Sequence, residues 1–389
     1  MSSSLLSRAM TVIRAEAINL FRPEVWVLDG NEASTAARLN LLYVGTEPHR
    51  KYIADLAYGE NYGETFIGRI GGVSLRRMVK RDHFACPLIV IEGHFVHRWI
   101  YQEQGDFFIP LWLEGTVDIP FVPSRKTARA DLGRIKRNKL EYVVTTELDR
   151  FRTFYYGMHV PYVSSRFQDR AITGDYAMGF DDILRLARYG ACELLLVKQG
   201  SEFVAGTFIV FVDRLPRLWA PFMGGKLPRL YCGGLKDGDL SYLAIGASLA
   251  TDYFPSLYLA DCGYQSMHMG LSRAFLNDGV LHYKKKWDMR GVGGTPGGLL
   301  IKPLRLSQGV RGFLVNNPFV YVNKGDLCGA GFVEDTTPDL DQIAEQLYDE
   351  HCLPGLTNVA TYELNDSGMR IRKTWPLGSQ QDRNVSHAA

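Results

Sequence analysis

Apolar residues recur along this chain in two rhythms. From residue 22 to about 120 the runs are short and mixed. Val25-Trp26-Val27-Leu28 and Leu41-Leu42-Tyr43-Val44 read as strands followed by turn residues, and residues 86–91 and 107–113 are compact apolar runs, the second interrupted by Pro110. This pattern predicts an α/β region over residues 1–125. At its start Leu6, Met10, Ile13, Ala17 and Phe21 fall at helical spacing, with Arg8 and Arg14 beside them. Such a stripe suits docking on the protein itself, on a second copy in a homodimer, or on a membrane surface.

The pattern sharpens beyond residue 124. Ser124 or Thr127 can cap a helix with Ala128, Leu132 and Ile135 inward and Arg129, Arg134, Lys136, Arg137 and Lys139 on its other faces. A strand follows at 141–144. Thr146 with Asp149 resembles a capping box, opening a helix that carries Leu148, Phe151, Phe154, Tyr155 and Met158 on one face. Pro161 is expected to end it. A helix at 180–189 stops at Gly190. Gln199-Gly200-Ser201 then turns a hairpin between strands at 193–198 and 203–212, with a third strand at 217–222. A helix at 239–251, a strand at 257–262, a helix at 269–276 and a strand at 280–287 complete the region. The order predicts an α+β fold over residues 126–292: a mixed sheet flanked by helices, with one parallel pair joined by a helix crossover. The glycine-rich residues 291–298 read as a linker. Residues 293–375 read as a small C-terminal extension, and 376–389 as a disordered tail.

Composition narrows the classes. The 389 residues are 46% hydrophobic and 22% charged, a globular balance, and the net charge of +2 implies no broad DNA-binding surface. The six cysteines form no C-x-x-C pair, and no zinc-like spacing occurs, so no metal is expected. Reduced thiols, no apolar run near the ~20 residues of a membrane span and no secretory leader predict a cytoplasmic protein.

Several segments, taken in order, resemble the acyl-CoA N-acyltransferase (GNAT) superfamily, in its Fem-like and exopolysaccharide-cluster branch. They are the basic helix Arg134-Ile-Lys136-Arg137, the helix from Phe151 to His159, and the hairpin Leu194–Val197 with Glu202–Gly206. Asp261-Cys-Gly263 follows, and Tyr283-Lys284-Lys285-Lys286-Trp287 closes the set. The likeness covers about 160 residues. It implies a GNAT-like mixed sheet and a preceding region that is a degenerate second half of the same kind. It also implies transfer of an acyl or aminoacyl group from a thioester or tRNA ester to an amine or hydroxyl, by direct attack in a ternary complex. No cofactor would be tightly bound. Acyl-CoA, acyl-carrier protein or aminoacyl-tRNA would serve as co-substrate, and a small molecule or polymer precursor as acceptor. The chain departs from the pattern at residues 226–234, which lack the R-x-x-G-x-G/A pyrophosphate loop. That departure admits an alternative, a non-catalytic GNAT-fold binding protein in a cell-envelope or polysaccharide pathway.

The resemblance places the gripping strands at 217–222 and 257–262. Asp261, at the exit of the second, is then a general base or simply a turn-capping carboxylate. Lys284 and Lys286 share a strand face that meets donor phosphate or oxyanion, or else solvent, while Lys285 points away. Arg134 and Arg137 add phosphate contacts or surface solubility. His159 is a second base candidate or a complement to its helix dipole. Tyr155 and Arg166 fall on the acceptor side.

Overall fold

The structure, a computed structural model, describes residues 22–377 except 82, 95–97, 99, 124–125, 168–178, 216–225, 295–296, 337–338 and 367. The N-terminal stripe, the strand expected at 217–222 and all but the start of the tail expected at 376–389 lie outside the described residues. The chain begins β1 (Glu24–Asn31), β2 (Arg38–Val44), α1 (Glu47–Tyr58), β3 (Tyr62–Arg69), α2 (Gly72–Lys80), β4 (Leu88–His94), β5 (Phe107–Pro110). It continues with β6 (Leu113–Asp118), α3 (Lys126–Arg137), β7 (Leu140–Thr145) and α4 (Leu148–Phe154), which runs through a π-helical turn (Tyr155–His159) into α5 (Val160–Phe167). Then come α6 (Phe180–Arg188), β8 (Cys192–Gln199), β9 (Glu202–Val210), β10 (Arg229–Leu235), α7 (Ala247–Asp261), β11 (Ser266–Ser272), α8 (Gly279–Lys285) and β12 (Arg290–Gly294). The chain ends with β13 (Gly297–Pro303), α9 (Gln308–Asn316), β14 (Phe319–Asn323), β15 (Asp326–Glu334), α10 (Leu340–His351), β16 (Asn358–Asn365) and β17 (Gly368–Pro376).

These elements sort into two compact units. Unit one takes the chain up to Leu113, Ser272–Leu281 and the part from Gly293 onward; unit two takes Glu114–Leu271 and His282–Val292. Both have mixed sheets flanked by helices, the α+β class expected. Among the described residues no helix is long and apolar enough to cross a membrane.

Unit one holds a six-stranded sheet in the order β3-β1-β2-β4-β13-β5 and a four-stranded sheet in the order β14-β15-β16-β17. Alternating residues of the first sheet, Val25, Leu42, Val44, Ile89 and Ile91, bury against Leu75 and Val79 of α2. The expected linker is corrected here, because β12 and β13 occupy it and β13 lies between β4 and β5. Its glycines serve close packing rather than freedom. A Cβ on Gly298 would stand 2.3 Å from the Phe108 ring, and one on Gly297 2.9 Å from Leu111.

Unit two is built on a seven-stranded sheet, β12-β6-β11-β10-β9-β8-β7. The hairpin forms as the sequence predicts, pairing Leu194 with Phe208 and Leu196 with Gly206. Phe151, Phe154, Met158, Ile183 and Leu186 cover it with a buried apolar layer. Pro161 does not end its helix. The π turn before it widens the backbone ladder just where a proline lacks its N–H, so α5 continues.

Three further expectations in this unit are overturned. Residues 257–262 are the end of α7 rather than a strand, because the helix runs on through Pro255 and buries Phe254, Pro255, Ser256 and Leu259. Residues 269–272, expected to open a helix at 269–276, belong to strand β11. Residues 279–285 are helix α8 rather than a strand, so the lysine run follows helical and not alternating geometry.

Candidate functional site

The site begins with two irregularities in neighbouring strands. Along β10, pairing with β9 holds register from Arg229 to Tyr231, slips, and resumes at Gly234. Cys232 lies in the slip with φ of 55°, a left-handed conformation that marks a bulge. On its other side β10 runs parallel to β11, and the two match at the single pair Arg229 and His268. There the His268 amide donates to the Pro228 carbonyl at 2.8 Å. Beyond that point the strands part, leaving backbone groups of both facing a cavity of about 300 Å³.

Four elements line it together with Thr207 of β9. β10 contributes Tyr231, Cys232 and Gly233, and β11 contributes Met269, Gly270 and Leu271; α7 brings Thr251 and Asp252, and α8 brings Lys284. Gly270 is required by conformation, at φ of +75°. Its missing side chain also leaves room beside the Lys284 ammonium, which would lie 4.0 Å from a Cβ there.

Asp252 and Lys284 give the cavity its chemistry. Asp252 accepts a hydrogen bond from the Tyr283 hydroxyl at 2.6 Å. Burial pushes its carboxyl up to about 6, against the opposing pull of Tyr283 and the Lys284 charge. Burial, with the Asp252 charge next to it, also drives the Tyr283 phenol well above its ordinary value, so it stays a donor. Lys284 is 7% exposed and donates from Nζ to the Leu271 carbonyl at 2.8 Å. A charge-bearing pair is therefore held in a partly sheltered cleft, where each charge acts more strongly than in water.

Beneath the strand junction lies a buried polar group. Arg229 and His268 approach the two oxygens of Glu114 at 3.6 and 3.4 Å. The Gly270 amide donates to His268 Nδ1 at 3.0 Å, which puts the ring proton on Nε2, the nitrogen facing Glu114. Burial lowers the His268 pKa and keeps the ring neutral. Glu114, opposed by burial, is still held below its usual value by His268 and Arg229. The imidazole thus ties Gly270 to the junction and fixes the edge of the cavity.

The sequence-predicted residues scatter around this centre. Lys284 lines it. Lys286 directly follows the last residue of α8, half-buried, and Lys285, expected to point away, is buried at 6% exposure. His159 rests on the opposite flank of β10, its Nδ1 donating to the Gly233 carbonyl at 3.0 Å, and burial lowers its pKa. A Cβ on Gly234 would meet the His159 backbone nitrogen at 2.7 Å, so the π turn presses directly on the bulged strand. Tyr155 packs among Tyr156, His159 and Phe180. Arg166 is exposed and lies over the Tyr162 ring. Arg137 is exposed on α3, while Arg134 pairs with Asp131 and packs beside Gly246, immediately before α7. Asp261 is not brought to the cavity. It is exposed at the end of α7, and its charge raises the Tyr142 phenol on β7, after burial the larger cause. The misread strand at 257–262 had assigned it to the wrong element.

Asp252 and Tyr283 were missed by sequence reasoning. The available signal was a lone carboxylate within the apolar run Leu249–Leu259.

No family model matches this chain, and neither does any curated protein. Solved structures do. One is the C-terminal DUF2156 domain of a candidate lysylphosphatidylglycerol synthetase from Agrobacterium fabrum, at 13% identity and a TM-score of 0.32, covering 74% of this chain and 82% of that one. A conserved protein of unknown function from Bacteroides thetaiotaomicron is 12% identical with a TM-score of 0.32, over 63% of this chain and 80% of its own. A GCN5-related N-acetyltransferase from Kribbella flavida is 9% identical with a TM-score of 0.27, over 76% and 93%. No activity is carried over from any of them.

Proposed function

We propose that unit two is an acyltransferase whose donor carbonyl enters the gap between β10 and β11. One observation carries this reading. A parallel strand pair meets at Arg229 and His268 and then opens into a cavity walled by Asp252 and Lys284. Backbone groups of the Cys232 bulge, where the ladder to β9 is broken, could grip and polarise a carbonyl there.

In this reading the acceptor's amine or hydroxyl attacks the carbonyl carbon and its proton passes to Asp252. The new C–N or C–O bond forms as the donor's C–S or C–O bond breaks, and the departing thiolate or alkoxide takes up a proton in turn. Lys284 supplies positive charge for the transient oxyanion, and Tyr283 holds Asp252 in one orientation. Donor phosphates would rest at the start of α7. Its N-cap is Gly246, which has no side chain to cap the first-turn amides, and Arg134 stands beside it. The loop before α7 ends Leu243-Ala-Ile-Gly246-Ala-Ser248, the spacing of the missing pyrophosphate motif with Leu for its Arg and Ser for its last Gly or Ala. That substitution is what favours the rival reading, a binding protein without turnover.

Melting the full chain with CoA, an acyl-CoA, an acyl-carrier thioester and an aminoacyl-tRNA, then assaying transfer to amine and hydroxyl acceptors, separates the two. A ligand at a hundred times its Kd stabilises by about 2.7 kcal/mol. Stabilisation with transfer supports the enzyme, and stabilisation without transfer supports the binding protein. No shift with any donor overturns the enzyme and leaves the binding protein of other ligands.

A further inference from the structure

Strand β11 leaves β10 just past their meeting at Arg229 and His268, and a side chain of β11 itself makes the bend. The His268 Nδ1 accepts the amide of Gly270, two residues on, at 3.0 Å. A bond of this kind, from a side chain to the amide two residues later, builds a local turn in place of a ladder pair. Gly270 completes the turn in the left-handed region, at φ of +75°. The turn leads directly to the cavity. The next carbonyl along the chain, that of Leu271, accepts from Lys284 Nζ at 2.8 Å.

The ring that makes this turn is itself fixed. His268 is 3% exposed, its backbone amide donates to the Pro228 carbonyl at 2.8 Å, and its Nε2 faces Glu114 at 3.4 Å. Arg229 stands 3.6 Å from the other oxygen of Glu114. The links run in series from the buried polar group to the cavity: Glu114, His268, the Gly270–Leu271 backbone and Lys284.

We propose that His268 is a positioning residue that sets where the Lys284 ammonium stands, acting through the Gly270 turn and the Leu271 carbonyl. The inference rests on the acyl-transfer reading of the same cavity and deepens it. Lys284 has a flexible four-carbon stem, and a charge serves a transient oxyanion best from a fixed place. A side chain that merely filled the core would need no particular ring nitrogen. This role needs an acceptor at the Nδ1 position. Asparagine puts its Oδ1 there, whereas glutamine reaches instead to where Nε2 lies.

The test compares H268N and H268Q in the full chain. Nitrogen NMR of the lysine ammonium, assigned with K284M, should show a slowly exchanging Lys284 signal in wild type and H268N and lose it in H268Q. In H268Q kcat should fall about tenfold with the donor KM unchanged, while H268N stays near wild type. In a K284M background H268Q should cost nothing further. Should H268Q not fold, G270A, strained at the same turn, takes its place. Absence of transfer in every protein would retire the acyltransferase reading and leave the ammonium signal to judge the positioning. The proposal is overturned if that signal is the same in H268Q as in wild type, if both variants lose kcat alike, or if H268Q costs as much without the Lys284 ammonium as with it.

Discussion

The Tyr283 hydroxyl lies 2.6 Å from the carboxylate of Asp252, and the two side chains come from helices α7 and α8 at the open end of the strand pair β10/β11. The phenol fixes which way the carboxylate faces. Burial raises its proton affinity to about 6, and the Tyr283 hydrogen bond and then the Lys284 charge hold that rise in check. Tyr283 therefore sets both the position of the carboxylate and part of its basicity, and Lys284 adds to the second alone.

Asp252→Asn keeps the shape and still accepts from Tyr283, but it cannot take a proton. Turnover should fall by about a hundred- to ten-thousand-fold, the usual contribution of a general base. Melting should hardly move. Asp261→Asn, at the exposed end of α7, should leave turnover intact. Equal turnover in wild type and Asp252→Asn would end the base assignment.

Because the base must be ionised, kcat/KM should rise with pH along an acid limb near the value of about 6 held by Asp252. Stability should move the opposite way. A carboxyl raised in the fold binds more protons folded than unfolded, so stability is fullest below about pH 4 as far as this group is concerned and declines through about pH 6. Denaturant unfolding of wild type and Asp252→Asn across this window measures the difference, which Asn should abolish.

Lys284→Met retains the buried stem without the charge. If the ammonium meets the oxyanion, kcat should drop by the ~1.5–3 kcal/mol of a charge-assisted hydrogen bond, roughly ten- to a hundredfold, with donor affinity little changed. A change confined to donor Kd would instead put Lys284 on the donor's phosphates.

Gly234→Ala tests the press of the π turn on β10. The added methyl would sit 2.7 Å from the His159 nitrogen and 2.8 Å from the Met158 carbonyl carbon, both backbone atoms that cannot swing aside. A loss of about 1–3 kcal/mol is expected in chemical denaturation. Gly233→Ala, with open space at its Cβ, serves as the comparison.

In unit one Glu92 accepts from Tyr43 and from the Thr46 hydroxyl at 2.8 Å, from the Thr46 amide at 2.7 Å and from His49 at 2.9 Å. Burial opposes its charge, yet His49 and Thr46 outweigh it and hold the carboxyl below its ordinary value. The stability this supplies is present at neutral pH and lost as pH falls through that lowered value. Glu92→Gln should cost about 3–5 kcal/mol at pH 7, as when a buried pair loses one partner, and should flatten the acid limb of the stability profile.

Sequence periodicity succeeded where one face of an element is apolar and the other is not. Phe180, Ile183 and Leu186 mark α6; the hairpin, buried on both faces, was legible from the turn Gln199-Gly200-Ser201 instead. It failed where both faces are buried or a breaker is overridden. Leu257–Cys262 looks the same as a short strand or as the end of a helix, and Pro255 concealed the continuity of α7. That one misreading moved the acid from Asp252 to Asp261. The lysine run was found, since Lys284 does line the cavity, but its helical setting reversed the expectation for Lys285. Glycines 297 and 298 misled for another reason, as composition does not distinguish a flexible glycine from one crowded by Phe108.

Strand β13 lies between β4 and β5, pairing Leu299 with Glu92 on one side and with Ile109 on the other. About two hundred residues of chain separate it from those partners, and most of them form unit two. During synthesis β4 and β5 therefore leave the ribosome with open edges and wait for the inserted unit to be made. At ~5–20 residues per second that interval lasts on the order of ten seconds or more. Unit two can finish folding in that time, whereas the N-terminal strands cannot close their sheet. A nascent chain arrested before residue 297 should for that reason be a chaperone client through its N-terminal portion alone.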